Sequence, residues 1–69
     1  MSSHEDMLKK TLEERLRTMV QRLIIRIHED EIAIDGTARL YYHKALAQTE
    51  AMRMFPSKQV VNRIQVAEV

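Results

Sequence analysis

The groups in this chain that could do chemistry are three histidines (His4, His28, His43), three serines (Ser2, Ser3, Ser57) and scattered carboxylates, densest in the run His28-Glu29-Asp30-Glu31. A nucleophilic hydroxyl needs a base within hydrogen-bond reach and a third group to orient that base, and no spacing here supplies the set. The His28–Glu31 run offers imidazole and carboxylates together. Consecutive residues in a turn point in divergent directions, however, and charge is what an exposed reversal favours. The run also lacks the spacing and the glycine of a calcium loop. With no cysteine, a zinc thiolate site, a disulfide and a thiol nucleophile are all excluded. The expectation is a non-catalytic chain with no metal and no cofactor.

Eleven lysines and arginines face ten acidic residues, and a net charge of +1 is far from that of a general nucleic-acid binder. An α/β order of this kind resembles that of KH domains, but the GxxG clamp of those domains is missing. Tyr41, Tyr42 and Phe55 are the only aromatic rings, none of them placed mid-strand as a stacking platform. No nucleic-acid partner is expected. Any electrostatic function must come from local patterning.

The elements that would position such a pattern follow from periodicity. Leu8, Leu12, Leu16, Met19, Val20 and Leu23 form one apolar stripe after a possible Ser3 cap, and Glu5/Lys9, Asp6/Lys10 and Glu13/Arg17 are opposite charges four apart. This predicts a first helix ending somewhere from Thr18 to Arg22. From Leu23 the period becomes two, with Leu23, Ile25 and Ile27 on one face of a first strand. The polar run from His28 reverses the chain. Ile32, Ile34, Gly36, Ala38 and Leu40 then share one parity of a second strand, Glu31 to Leu40. A second helix is expected over His43 to Met54, with Ala47, Ala51 and Met54 as a small-residue stripe and Pro56 as its stop. Val60 to Val66 forms the last strand.

The order α-β-β-α-β fills residues 1–69 as one α+β domain. A hairpin followed by a right-handed crossover makes a three-stranded mixed sheet with strand two central and both helices on one face, a two-layer sandwich. Gly36 lies on the inward parity, where helix two is expected to pass close over it.

Several stretches resemble the BON domain, a small bacterial module of osmotically induced periplasmic proteins, haemolysin-like lipoproteins and some channel proteins. The resemblance covers about residues 5–67. It rests on Ile25 and Ile27, on Glu31-Ile32-Ala33-Ile34-Asp35-Gly36 as the family's V-x-L-x-G stretch, on Ala47, Ala51 and Met54, and on Val60-Val61-Asn62-Arg63-Ile64-Gln65-Val66 as its closing V-x-N-x-(I/L)-x-V. The chain departs from the family at the first hairpin, which has Asp30-Glu31 in place of a glycine. It departs again at Phe55-Pro56-Ser57, where the family tends to show Gly-Val. The stretch between helix one and strand one is also often longer in the family. The resemblance implies a phospholipid-binding or membrane-associating module without catalytic activity. Asn62 is expected to satisfy backbone groups where helix two feeds into the last strand.

By parity the open sheet face should carry Arg22, Ile24, Arg26 and His28, then Ala33, Thr37, Arg39 and Tyr41, then Val61, Arg63 and Gln65. Four arginines against Glu31 and Asp35 would leave that face at +2. Arg26, Arg39 and Arg63, with Ile24 as an apolar contact, are the candidate surface for an anionic membrane or a protein partner. Tyr41 and Tyr42 straddle the end of strand two, one expected on helix two and the other at the surface. Exposed edges or an Ile24/Val61 patch could pair two copies as a weak homodimer, since a chain this short buries little surface. No apolar run exceeds three residues and the first twenty are studded with charge, which reads as a cytosolic chain or as a domain cut from a longer exported one.

Overall fold

In the computed structural model, which describes residues 3–67, the elements run α1 (Ser3–Leu16), β1 (Val20–Ile27), β2 (Glu31–Ala38), α2 (Tyr41–Met54) and β3 (Gln59–Val66). The chain is thus an α+β fold of order α-β-β-α-β. β2 is central, antiparallel to β1 and parallel to β3. Among the described residues no helix is long and apolar enough to cross a membrane.

α1 buries Leu12 and Leu16 completely. It ends earlier than the apolar stripe suggests, because Met19 N–H turns back to Leu16 O (3.0 Å) and releases Val20 into the sheet. Val20 and Leu23 are therefore strand residues. Ser3, expected as a cap, is the first helical residue, and the position before it lies outside the described residues.

β1 holds the main departure from simple alternation. Gln21 pairs with Thr37 and Ile24 with Asp35, so Arg22 and Leu23 together face Gly36 across the ladder. This is a bulge, with Arg22 in the left-handed region at φ 57°. One extra residue turns Val20 inward to the core, where it is 2% exposed, and leaves Gln21 outward. An unbroken period of two would have done the reverse.

Gly36 is in tight contact, but the atoms nearest to it belong to β1, where α2 was expected. A Cβ there would lie 2.5 Å from Val20 Cγ1, 2.9 Å from the Gln21 carbonyl oxygen and 3.5 Å from Leu23 Cα, and φ is +154°. Only glycine lets the bulged strand pass this close.

The helix-facing side of the sheet stacks Ile27, Ile32 and Val60 in one row, then Ile25, Ile34 and Asn62, then Gly36 and Ile64, then Val20, Ala38 and Val66. Both helices close over these rows, α1 through Leu12 and Leu16 and α2 through Ala47 and Ala51, forming one core. Each fully buried Leu or Ile contributes about 1.5–3 kcal/mol. Because alanine has no side chain beyond Cβ, α2 can lie close to the sheet. α2 starts two residues earlier than expected, at Tyr41, and β2 ends at Ala38, which leaves Arg39 and Leu40 between them. At the other end Phe55 N–H bonds Ala51 O (2.8 Å) before Pro56 blocks continuation.

Two polar clips hold the layers in register. Asn62 Nδ2 donates to Lys44 O (2.9 Å), and Asn62 Oδ1 accepts from Ile64 N–H (3.1 Å). The clip therefore grips the first half of α2, not its exit toward β3 as expected. β3 is an edge strand, and here a side chain occupies a backbone donor that could otherwise recruit another strand. Lys58 is the second clip. Its side chain is 10% exposed, and Nζ donates to His28 O (2.7 Å) and Glu29 O (2.8 Å) and pairs with Glu5 (3.3 Å). It joins α1, the hairpin and the turn before β3.

Candidate interaction site

The residues singled out for catalysis lie on separate elements: His4 on α1, His28 in the hairpin and His43 on α2. Ser2 lies outside the described residues. His4 and Ser57 do share a cleft of about 290 Å³ with Glu5 and Lys58. No hydrogen bond joins Ser57 to His4 or Lys58, whose ammonium is held by the two hairpin carbonyls and Glu5. Ser57 thus has, among the described residues, no hydrogen-bonded base of the kind that activates a nucleophile. Among the described residues no group of three or more histidines and carboxylates is placed to hold a metal ion.

The open face of the sheet is built by the ladder. Its rows are Arg26, Ala33 and Val61, then Ile24, Asp35 and Arg63, then Gln21, Thr37 and Gln65, with Glu31 beside Gln59 at the hairpin end. Ala33 is only 3% exposed although no helix covers this side. Its neighbours across the ladder are the longer Arg26 and Val61. Ile24 stands 48% exposed at the rim.

The expected charge of +2 does not survive the bulge and the early end of β2. Arg22 sits in the bulge and lines the cleft between α1 and β1 with Glu13 and Arg17. Arg39 lies beyond the last ladder pair and lines an end cleft of about 210 Å³ with Thr37, Gln21, Met19 and His43. The ladder rows keep Arg26 and Arg63 against Glu31 and Asp35, two charges of each sign. Asp35 and Arg63 are direct neighbours yet form no ion pair, and Asp35 Oδ2 is buried with no hydrogen-bond partner.

A second surface was not anticipated. Leu40, placed in the core by parity, is 52% exposed, and Tyr41 and Tyr42 are 68% and 64% exposed. Both tyrosines belong to α2 itself and stand exposed, so neither packs on that helix from the end of β2 as expected. Leu40 stands at the N-cap of α2 with φ −122° and ψ 141° and makes no side-chain cap. The first turn of α2 carries no acidic residue. Arg39 and Lys44 flank the three apolar residues, and the Tyr42 ring leans on His43 with centroids 6.1 Å apart. The signal was present in the sequence: stepping back by fours from Ala51 and Ala47 reaches His43, so Tyr41 and Tyr42 fall off the buried stripe.

Compared with protein-family models, with curated proteins and with solved structures, the chain matches none.

Proposed function

We propose that this chain is a non-catalytic, BON-like module that associates with anionic phospholipid surfaces through the tip formed by residues 39–44. One observation carries the reading: Leu40, Tyr41 and Tyr42 are each more than half exposed and stand together between Arg39 and Lys44 with no acid in the adjoining turn. Large exposed side chains scattered singly need no explanation, but three in succession form a patch. Tyrosine rings suit the headgroup region because one end is apolar and the other carries a hydroxyl. Each cation near an anionic surface contributes about 1 kcal/mol, screened over about 8–10 Å at ordinary salt. The BON-like stretches support the same reading. What they imply is phospholipid association alone, with no preference among the faces. Arg39 keeps its role as a surface-binding residue; Arg26, Arg63 and Ile24 belong to a face of balanced charge, poorly suited to an anionic surface.

Co-sedimentation with phosphatidylglycerol and with phosphatidylcholine vesicles, at low and high salt, tests this. Binding is expected only to the anionic vesicles at low salt. It is lost in the triple variant Leu40→Ser, Tyr41→Ser, Tyr42→Ser and kept in Arg26→Ala, Arg63→Ala. Binding that survives the tip substitutions, or equal behaviour on both lipids, overturns the reading.

A further inference from the structure

We propose that two copies of this chain pack open face to open face, with Arg26 of each held over Asp35 of the other. This pairing is independent of the phospholipid reading, since it rests on the ladder rows and not on the tip. Asp35 sits at the middle of that face, with Ile24 on one side and Arg63 on the other. Its Oδ2 is out of contact with solvent and has no hydrogen-bond partner. Oδ2 is thereby closed to another copy as well as to water, so a cation from outside meets the carboxylate through Oδ1, on a side chain that is only partly buried and makes no ion pair among the described residues.

The face is self-complementary in charge. Arg26 and Arg63 oppose Glu31 and Asp35, so one copy can offer another both signs, whereas an anionic surface would meet as many carboxylates as arginines. Ile24 and Val61 supply apolar contact beside them. The edges are less available. Asn62 occupies the Ile64 donor on β3, and the bulge at Arg22 interrupts β1.

The register selects the geometry. A two-fold axis running along β2 would lay Asp35 directly on Asp35 of the other copy, which like charge forbids. A two-fold axis crossing the strands between the Ala33 and Asp35 rows lays each Asp35 over Ala33 of the other copy. Arg26 then lies one strand away, about 4.8 Å to the side, and the gap of about 10 Å between stacked sheets is within the joint reach of the two side chains. Two such pairs form by symmetry. Eight-residue strands in a three-stranded sheet give a face of about 26 Å by 14 Å. That is small against the roughly 800 Å² that each partner buries in a standard interface, so the dimer dissociates on dilution.

Sedimentation velocity without lipid, from about 1 µM to about 1 mM, spans the affinity range of such an interface. The 8.1 kDa chain is expected to move toward twice that mass as concentration rises. Arg26→Asp and Asp35→Arg are each expected to weaken self-association by at least about tenfold, because like charges then meet across the two-fold. An equimolar mixture of these two variants is expected to restore the dimer, since each copy again faces an opposite charge. Asp35→Asn, the closest change in shape, serves as the second probe should either charge variant fail to fold, and it is expected to weaken the dimer while the chain still melts cooperatively at low concentration. A parent that stays monomeric throughout, a mixture of folded variants that stays monomeric, or rescue by Arg63→Asp in place of Arg26→Asp overturns the proposal. None of these outcomes touches vesicle binding by the tip.

Discussion

Val20 and Gly36 face one another across the β1 bulge so closely that Cγ1 of the valine would stand 2.5 Å from a Cβ on the glycine. The Gln21 carbonyl, a backbone atom that cannot swing aside, would stand 2.9 Å away. Any side chain at position 36 must therefore push the bulge out or strain its own backbone at φ +154°. Gly36→Ala is expected to cost about 2–4 kcal/mol. That is a large part of the roughly 3–10 kcal/mol that a chain of this length has in total. Thermal melts should show a fall of at least about 8 °C. Adding Val20→Ala removes the nearer atom, so the double variant should lose less than the sum of the singles. Strict additivity would mean that the two residues do not press on one another.

Asn62 is both donor and acceptor: the amide serves Lys44 O and the carbonyl serves Ile64 N–H. Asn62→Ala should cost about 1–2 kcal/mol through the two lost bonds. Asn62→Asp should cost more despite its matching shape, because a carboxylate oxygen would then face the Lys44 carbonyl and Gln48 Oε1. Urea unfolding of the two variants gives the order. An aspartate as stable as the alanine would show that the contact to α2 carries no weight.

Lys58 holds the two hairpin carbonyls through a charged donor, and each such bond is worth more than a neutral one. Lys58→Met keeps the apolar stem and removes the ammonium. It should cost about 1.5–3 kcal/mol and leave both helices in place. Amide exchange is the sharper readout, since protection should fall first from His28 to Glu31. Loss of protection spread evenly over the whole chain would contradict a local clip.

Leu40 sets stability against the proposed binding. Its backbone already has the extended geometry of an N-cap, and no side chain caps α2. Leu40→Asp supplies that cap, and the expected gain is about 0.5–1 kcal/mol. The melting temperature should rise by about 2–8 °C. The same substitution removes an apolar contact and adds a negative charge to the tip, so anionic vesicle binding should drop. A variant that is more stable and binds as well as the parent would separate Leu40 from the surface.

Much of the architecture was legible because it is local. The four-residue spacing of Leu8, Leu12 and Leu16, the alternation of Ile25 with Ile27 and of Ile32 with Ile34, and the stop at Pro56 each specify an element from its own residues. Element order and the right-handed crossover then leave few topologies, and the mixed sheet with β2 central is the one formed. The lack of side-chain room at Gly36 and the polar clip at Asn62 were legible too, although their partners were not.

What the tertiary structure decided is everything that depends on which strand lies opposite. The step of three from Val20 to Leu23 is the trace of the bulge, yet by itself it reads equally well as helical spacing and so extends the expected helix beyond Leu16. Only pairing with β2 shows that Arg22 and Leu23 share Gly36, and that sharing turns Val20 inward. The same one-residue shift takes Arg22 off the open face, and the end of the ladder at Ala38 takes Arg39 with it. A period of two assigns sides only while the ladder is unbroken, so one inserted residue and an earlier strand end together changed the charge of a surface from an excess of arginine to an even balance.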